Sequence, residues 1–170
     1  MNIFQKTVYF FKRPPLFIFD GSLLFENLFP YFFKEKLFNI KESLDLAKFL
    51  IKYSRSSIIF FNEKSILLEE LELEEKDILL LNAGISKKKG FNIFTFGTKE
   101  GADFNVSDIN TSREEINFKI NYKGSTVPFW ASGNFTEEDA EIIAGIAGAA
   151  VLRGMNLVEA SQVIRGVTNL

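Results

Sequence analysis

Four short runs of this chain are apolar almost without a break: LFIF at 16–19, SIIFF at 57–61, DILLL at 77–81 and NIFTF at 92–96. A membrane helix needs about 20 apolar residues, so none of these runs is one. Short unbroken apolar segments mark strands buried on both faces, which is how parallel sheets are built. The segments between them have helical spacing. LDLAKFLIKY at 44–53 puts Leu44, Ala47, Leu50 and Ile51 on one face and keeps Asp45, Lys48 and Lys52 largely off it. LLFENLFPYFFKEKL at 23–37 is also near-helical, with Pro30 expected to kink or restart it. EKSILLEELELEEK reads as a short acidic helix or a loop, and KTVYFF at 6–11 as a further strand ahead of the Pro14–Pro15 break. Alternating strand and helix predicts a mostly parallel sheet flanked by helices. One link departs from the pattern. GISKKKG at 84–90 is too tight for a helical crossover, so the strands beside it are expected to be antiparallel neighbours, or one of them to run to the sheet edge.

After Gly97 the periodicity changes to two. Phe104 and Val106, then Ile116, Phe118, Ile120 and Tyr122, then Val127 and Phe129 alternate with polar residues, with turn chemistry at NTSRE and NYKGS. This predicts an antiparallel three-stranded meander with one wet face. TEEDAEIIAGIAGAAVLRG follows as a helix capped by Thr136, with Asp139 placed for a capping box and Gly154 at its end. Gly145 and Gly148 allow it to pack closely on the sheet. NLVEASQVIRG is a second helix with Asn156 as its cap. The expected fold class is therefore α/β: a mostly parallel sheet flanked by helices, an antiparallel three-stranded meander and two C-terminal helices, in a single domain over residues 1–170.

Composition limits the chemistry. The chain has no Cys and no His, which removes thiol nucleophiles, disulfides, thiolate metal sites and imidazole bases. A formal charge of −2 argues against a nucleic-acid partner. No secretory signal or transmembrane run is visible, so a cytoplasmic location is expected. Phe accounts for 20 of the 170 residues and mainly fills core positions. Within the first 40 residues it also offers a contact surface: LLFENLFPYFF is apolar on too many sides for a simple surface helix. Phe29, Tyr31 and Phe32 there, with Trp130 on the meander, are the candidate interaction residues. Asp20, Ser22 and Asn82 end apolar strands, where open α/β sheets bind ligands, and are the candidate ligand-binding residues. Each has a plainer role open to it: a turn for Asp20 and Asn82, a helix cap for Ser22. Lys87, Lys88 and Lys89 read as a solvated turn.

The ordered set ILLLNA, NIFTFG, ADFNVSDIN, EINFKINYKG, VPFWASGNF and AGIAGAAVLRGMNLVEASQVIRGV, within residues 70–167, resembles the central domain of the Mur ligases. These are the ATP-dependent amide ligases of peptidoglycan-precursor synthesis, related to folylpolyglutamate synthase. The resemblance divides the domain into a divergent part, 1–69, and a Mur-ligase-like part, 70–170. It makes ILLLNA similar to the strand that ends in the family's Asn–Ala–Asp–Asp turn, and NIFTFG to the strand after it. Asn134 lies where the family places Asn residues that contact adenine, and joins Asp20, Ser22 and Asn82 as a ligand-binding candidate.

The departures bear on function. No stretch has the family's Gly-x-x-Gly-Lys-Ser/Thr phosphate loop, whose amides cradle phosphates and whose Lys neutralises them. The turn after LLLNA reads Gly84–Ile85–Ser86 in place of the Asp pair, and the family's magnesium-binding His has no counterpart. The C-terminal ligase domain is expected to be missing. The leading expectation is a non-catalytic Mur-ligase-like binding or interaction module with no catalytic residues, no metal and no cofactor. Its expected partner is a protein, either a ligase subunit or a second copy of the chain. Two alternatives stay open: part of a split or divergent ATP-dependent ligase of cell-wall synthesis, with ATP and magnesium as cofactors, or a Phe-rich docking protein.

Overall fold

The computed structural model describes residues 13–86 and 92–167. The strand expected at 6–11 and Lys87, Lys88 and Lys89 lie outside the described residues. In chain order the elements are β1 (Leu16–Phe19), α1 (Leu23–Phe32), β2 (Leu37–Asn39), α2 (Leu44–Tyr53), β3 (Ser57–Phe61), α3 (Ile66–Glu69), β4 (Asp77–Asn82), β5 (Asn92–Gly97), β6 (Phe104–Thr111), β7 (Glu115–Tyr122), β8 (Ser125–Ser132), α4 (Glu137–Leu152) and α5 (Leu157–Gly166). The strands form an 8-stranded sheet in the order β2-β1-β3-β4-β5-β6-β7-β8. Pairing is parallel from β2 through β6 and antiparallel across β6, β7 and β8.

Two expectations are corrected. β4 and β5 are parallel neighbours, with Leu80 opposite Phe94 and Asn82 opposite Phe96. A crossover needs only enough chain to run back along the strand, about 20 Å for six residues. Nine residues, 83–91, separate the two strands, which is reach enough. The second correction is β2, which lies where helical spacing was read to continue to Leu37. The helix stops at Phe33, whose backbone N–H bonds to the Phe29 carbonyl. The apolar Leu37 and Phe38 that follow fall in helical phase by coincidence, and they pair with Phe17 and Ile18 as an edge strand. Pro30 does not break α1. It lies in the last turn, where its ring leaves the Glu26 carbonyl without the N–H an interior residue would donate.

The alternation of the parallel strands fills two cores. Phe17, Phe19, Ile58, Phe60, Leu80 and Phe96 point to one face, under α1 and α4. Leu16, Ile18, Ile59, Phe61, Leu79 and Leu81 point to the other, where Ala47, Leu50 and Ile51 of α2 and Leu68 of α3 cover them. On the first face the rings stack in a row: Phe25 lies 4.1 Å from Phe60, and Phe60 lies 4.9 Å from Phe96. Such pairs add about 1 kcal/mol each beyond burial. Helix α4 sits directly on these rings. A Cβ at Gly145 would overlap the Phe60 ring, and one at Gly148 would come to 2.9 Å from Phe104 Cδ2. Its start is fixed by the predicted capping box of Thr136 and Asp139.

Candidate functional site

The carboxyl ends of β1, β3, β4 and β5 lie side by side at one edge of the sheet, the edge where open α/β folds hold ligands. The first residue past β1 is Asp20. It is buried, and its Oδ2 accepts from the backbone N–H of Asn62 at 2.6 Å and of Glu63 at 3.1 Å, just past β3. Burial pushes its carboxyl above the ordinary aspartate range, opposed by those amides and by the charge of Lys41. Gly21 follows with φ +94°, and a Cβ there would come to 3.3 Å from Asn39 Nδ2 and from Lys41 Cδ. Ser22 accepts from the Phe25 N–H at 3.4 Å and caps α1.

Asn82 ends β4 and ties the edge together. Its Oδ1 accepts from the Gly84 N–H at 2.9 Å. Its Nδ2 donates to Glu141 Oε2 at 2.8 Å and to Asn62 Oδ1 at 3.3 Å. Glu141 reaches down from α4, and its Oε1 accepts from both the N–H and the hydroxyl of Thr98, at 2.8 and 2.6 Å. Gly97, at φ +127°, makes room for it: a Cβ there would lie 3.2 Å from Glu141 Oε1.

This arrangement has a definite chemical consequence. Backbone N–H groups past the ends of parallel strands are the usual donors to a bound anion. Here the N–H groups of Asn62, Glu63 and Thr98 already donate to the chain's own carboxylates, Asp20 and Glu141. An incoming phosphate meets occupied donors and two acids, with Lys41 as the basic group that acts on Asp20. Among the described residues no group of three or more His, Cys, Asp or Glu is placed to hold a metal ion.

Three of the four ligand-binding candidates, Asp20, Ser22 and Asn82, lie at this edge. Asn134 is exposed in the loop ahead of α4, outside the bonded cluster. Of the interaction candidates, Phe29 is 3% exposed and packs between Phe17 and Phe33. Phe32 is half-buried and Tyr31 is 54% exposed. Trp130 is half-buried on β8, and its Nε1–H donates to Glu115 Oε2 at 2.7 Å. Sequence reasoning missed Asn62, Thr98 and Glu141. A signal for Asn62 was there, since it follows SIIFF as Asp20 follows LFIF. Glu141 is the one charged residue in the stretch Ala140–Ala150, but nothing in the sequence pairs it with Thr98.

The fold is that of a Mur ligase-like α/β domain. Solved structures of Mur ligases share the architecture. The MurF ligase of Thermotoga maritima, solved in complex with ADP, superposes with a TM-score of 0.72 at 10% identity, over 97% of this chain and 51% of that one. A MurF structure from Acinetobacter baumannii gives 0.67 at 7% identity, over 97% of this chain and 48% of the other. A UDP-N-acetylmuramoyl-L-alanyl-D-glutamate–2,6-diaminopimelate ligase gives 0.59 at 9% identity, over 98% and 50%. The chain spans about half the length of the solved structures it matches. No protein-family model matches its sequence, and no curated protein does.

Proposed function

We propose that this chain is a non-catalytic Mur ligase-like module, one that binds a partner and does not itself activate a substrate with ATP. The observation that carries this reading is the occupied edge. Asp20 and Glu141 hold the N–H groups of Asn62, Glu63 and Thr98 at the sheet edge where open α/β folds bind ligands. Phosphoryl transfer depends on positioning and on neutralising charge. Two acids at this edge would oppose the charge neutralisation that phosphoryl transfer needs. The partner in this reading is a protein, either a ligase subunit or a second copy of the chain, encountered in the cytoplasm without nucleic acid. Among the described residues no helix is long and apolar enough to cross a membrane.

A second reading is favoured by the likeness to a MurF structure solved with ADP. In it, the chain is one part of a split amide ligase, and the phosphate loop comes from another polypeptide. Thermal-shift titration with magnesium-ATP separates the two. A ligand that binds only the native state stabilises it by about 2.7 kcal/mol at 100 times its Kd. The module reading expects an unchanged melting temperature up to millimolar nucleotide. A saturable rise would sink it in favour of the ligase reading.

A further inference from the structure

The opposite edge of the sheet holds a group with an unmet need. Helices α1 and α4 run back against the parallel strands, so their C-terminal ends meet at the amino edge. They border a groove of about 560 Å³ lined by Phe32, Phe33, Lys34, Ala150, Arg153 and Met155, with Glu35 and Glu159 at its sides. Arg153, which caps α4, is the group in question. Its Nη1 donates to Ser56 Oγ at 2.8 Å, and its guanidinium carbon lies 5.0 Å from the centre of the Phe17 ring. Those two contacts fix the plane of the guanidinium. Its other two donor atoms, Nε and Nη2, are buried and have no hydrogen-bond partner among the described residues.

Nε–H and Nη2–H project from the same side of a guanidinium. They form the fork that pairs with the two oxygens of a carboxylate. The acids nearby do not bond to the fork, and each spends one oxygen on a backbone amide. Glu35 Oε2 accepts from the Lys34 N–H at 3.1 Å, and Glu159 Oε2 from the Asn156 N–H at 3.0 Å. Buried polar groups in folded proteins have partners, and an orphaned pair calls for an explanation. Burial also pulls the Arg153 pKa down, with the charge of Glu35 working the other way.

We propose that this groove binds a small monocarboxylic acid with an apolar body, its carboxylate on the Nε/Nη2 fork of Arg153 and its body against Phe32, Phe33 and Met155. Lys34 adds a second cation. The C-terminal ends of two helices and the two glutamates oppose any anion there, a dianion about twice as strongly as a monoanion. An aliphatic or aromatic acid therefore fits better than phosphate. Both donor atoms are buried in this structure, so the proposal requires the side chains around them to turn aside as the acid enters. The site lies at the other edge of the sheet from the Asp20–Glu141 cluster, so the outcome with magnesium-ATP leaves it untouched.

The test titrates the full chain with hexanoate and with benzoate at constant ionic strength, followed by calorimetry and thermal shift. Inorganic phosphate and hexanol serve as controls. Saturable binding of both acids is expected, at least tenfold tighter than phosphate or hexanol. Arg153→Lys should weaken it at least tenfold, because an ammonium cannot supply the fork. Lys34→Met should weaken it less. Arg153→Met should abolish it, with circular dichroism confirming the fold; if that variant does not fold, Arg153→Lys decides. No saturable response to either acid, equal binding of hexanol or phosphate, or undiminished binding by Arg153→Lys would each overturn the proposal.

Discussion

The parallel half of the sheet and the meander bury their side chains in different ways. In β1, β3 and β4 every apolar residue faces one core or the other, since helices cover both sides. In β6, β7 and β8 only alternate residues do: Phe104, Val106, Ile116, Phe118, Ile120, Val127 and Phe129 join the first core. Asn117, Lys119, Asn121 and Thr126 stand on the opposite face, bonded to one another or to neighbouring polar groups, as Thr126 Oγ1 is to Asn121 Oδ1 at 2.6 Å. A strand buried on both faces has no tolerant position, whereas a strand wet on one face has one every second residue. The difference also explains where the polar edge can form. Only strands with continuous apolar bodies force their polar ends together at one rim.

The largest expected effect tests the doubly covered half. Phe60 is 1% exposed, stacks on Phe25 and Phe96, and fills the space left by Gly145. Phe60→Ala should cost about 4 kcal/mol in urea unfolding, from lost burial and the cavity left behind. Gly145→Val attacks the same contact from the helix and should cost about 3 kcal/mol through overpacking. The two changes share one space, so the double variant should be more stable than the summed costs predict. Strict additivity would show that α4 does not rest on that ring.

Next comes the polar rim. Asp20→Ala leaves the Asn62 and Glu63 amides without an acceptor and should cost about 2 kcal/mol. Asp20→Asn keeps one acceptor and should cost less. The two differ in pH dependence. Burial raises the folded pKa of Asp20 above its ordinary 3.8. Between 3.8 and that raised value the folded state holds the proton more firmly than the unfolded chain. Asp20 therefore lowers stability as pH rises through that window, the reverse of a salt-bridged aspartate. Unfolding curves from about pH 4 to pH 7 should show the wild type losing stability relative to Asp20→Asn. A constant gap between them would mean that the carboxyl is not desolvated.

How much of this was legible in the sequence follows the same division. The meander's three antiparallel strands and their inward face were read, because Ile116, Phe118 and Ile120 alternate with Asn117, Lys119 and Asn121, but the shift in pairing between Ser107 and Asn110 was not. The parallel strands were located, but their order was not. A run such as DILLLN has no polar side to orient it, so nothing local showed that β5 returns parallel to β4. β2 was hidden because Leu37 and Phe38 continue the helical phase of α1. At the rim, Asp20 and Asn82 were found because each ends an apolar run. Glu141 was not, because its bonds to Asn82 and Thr98 depend on where α4 crosses the sheet, a property of the packed Gly145 and Gly148 face.

The smallest effect lies on the wet face of the meander. Lys119 Nζ stands 2.7 Å from Asp108 Oδ2, with both side chains about half exposed, at 49% and 62%. Asp108 has φ +52° at the irregularity between Ser107 and Asn110, where the pairing of β6 with β7 shifts. The short distance suggests a strong bridge, but exposed ion pairs gain little over their solvated partners, and salt screens what remains. Lys119→Ala should therefore change stability by only about 0.3 kcal/mol, less in molar salt. A loss of about 1.5 kcal/mol or more would place the pair among the interactions that hold the bulge. The meander would then depend on its outward face as well as its core, and the contrast with the parallel half would fail.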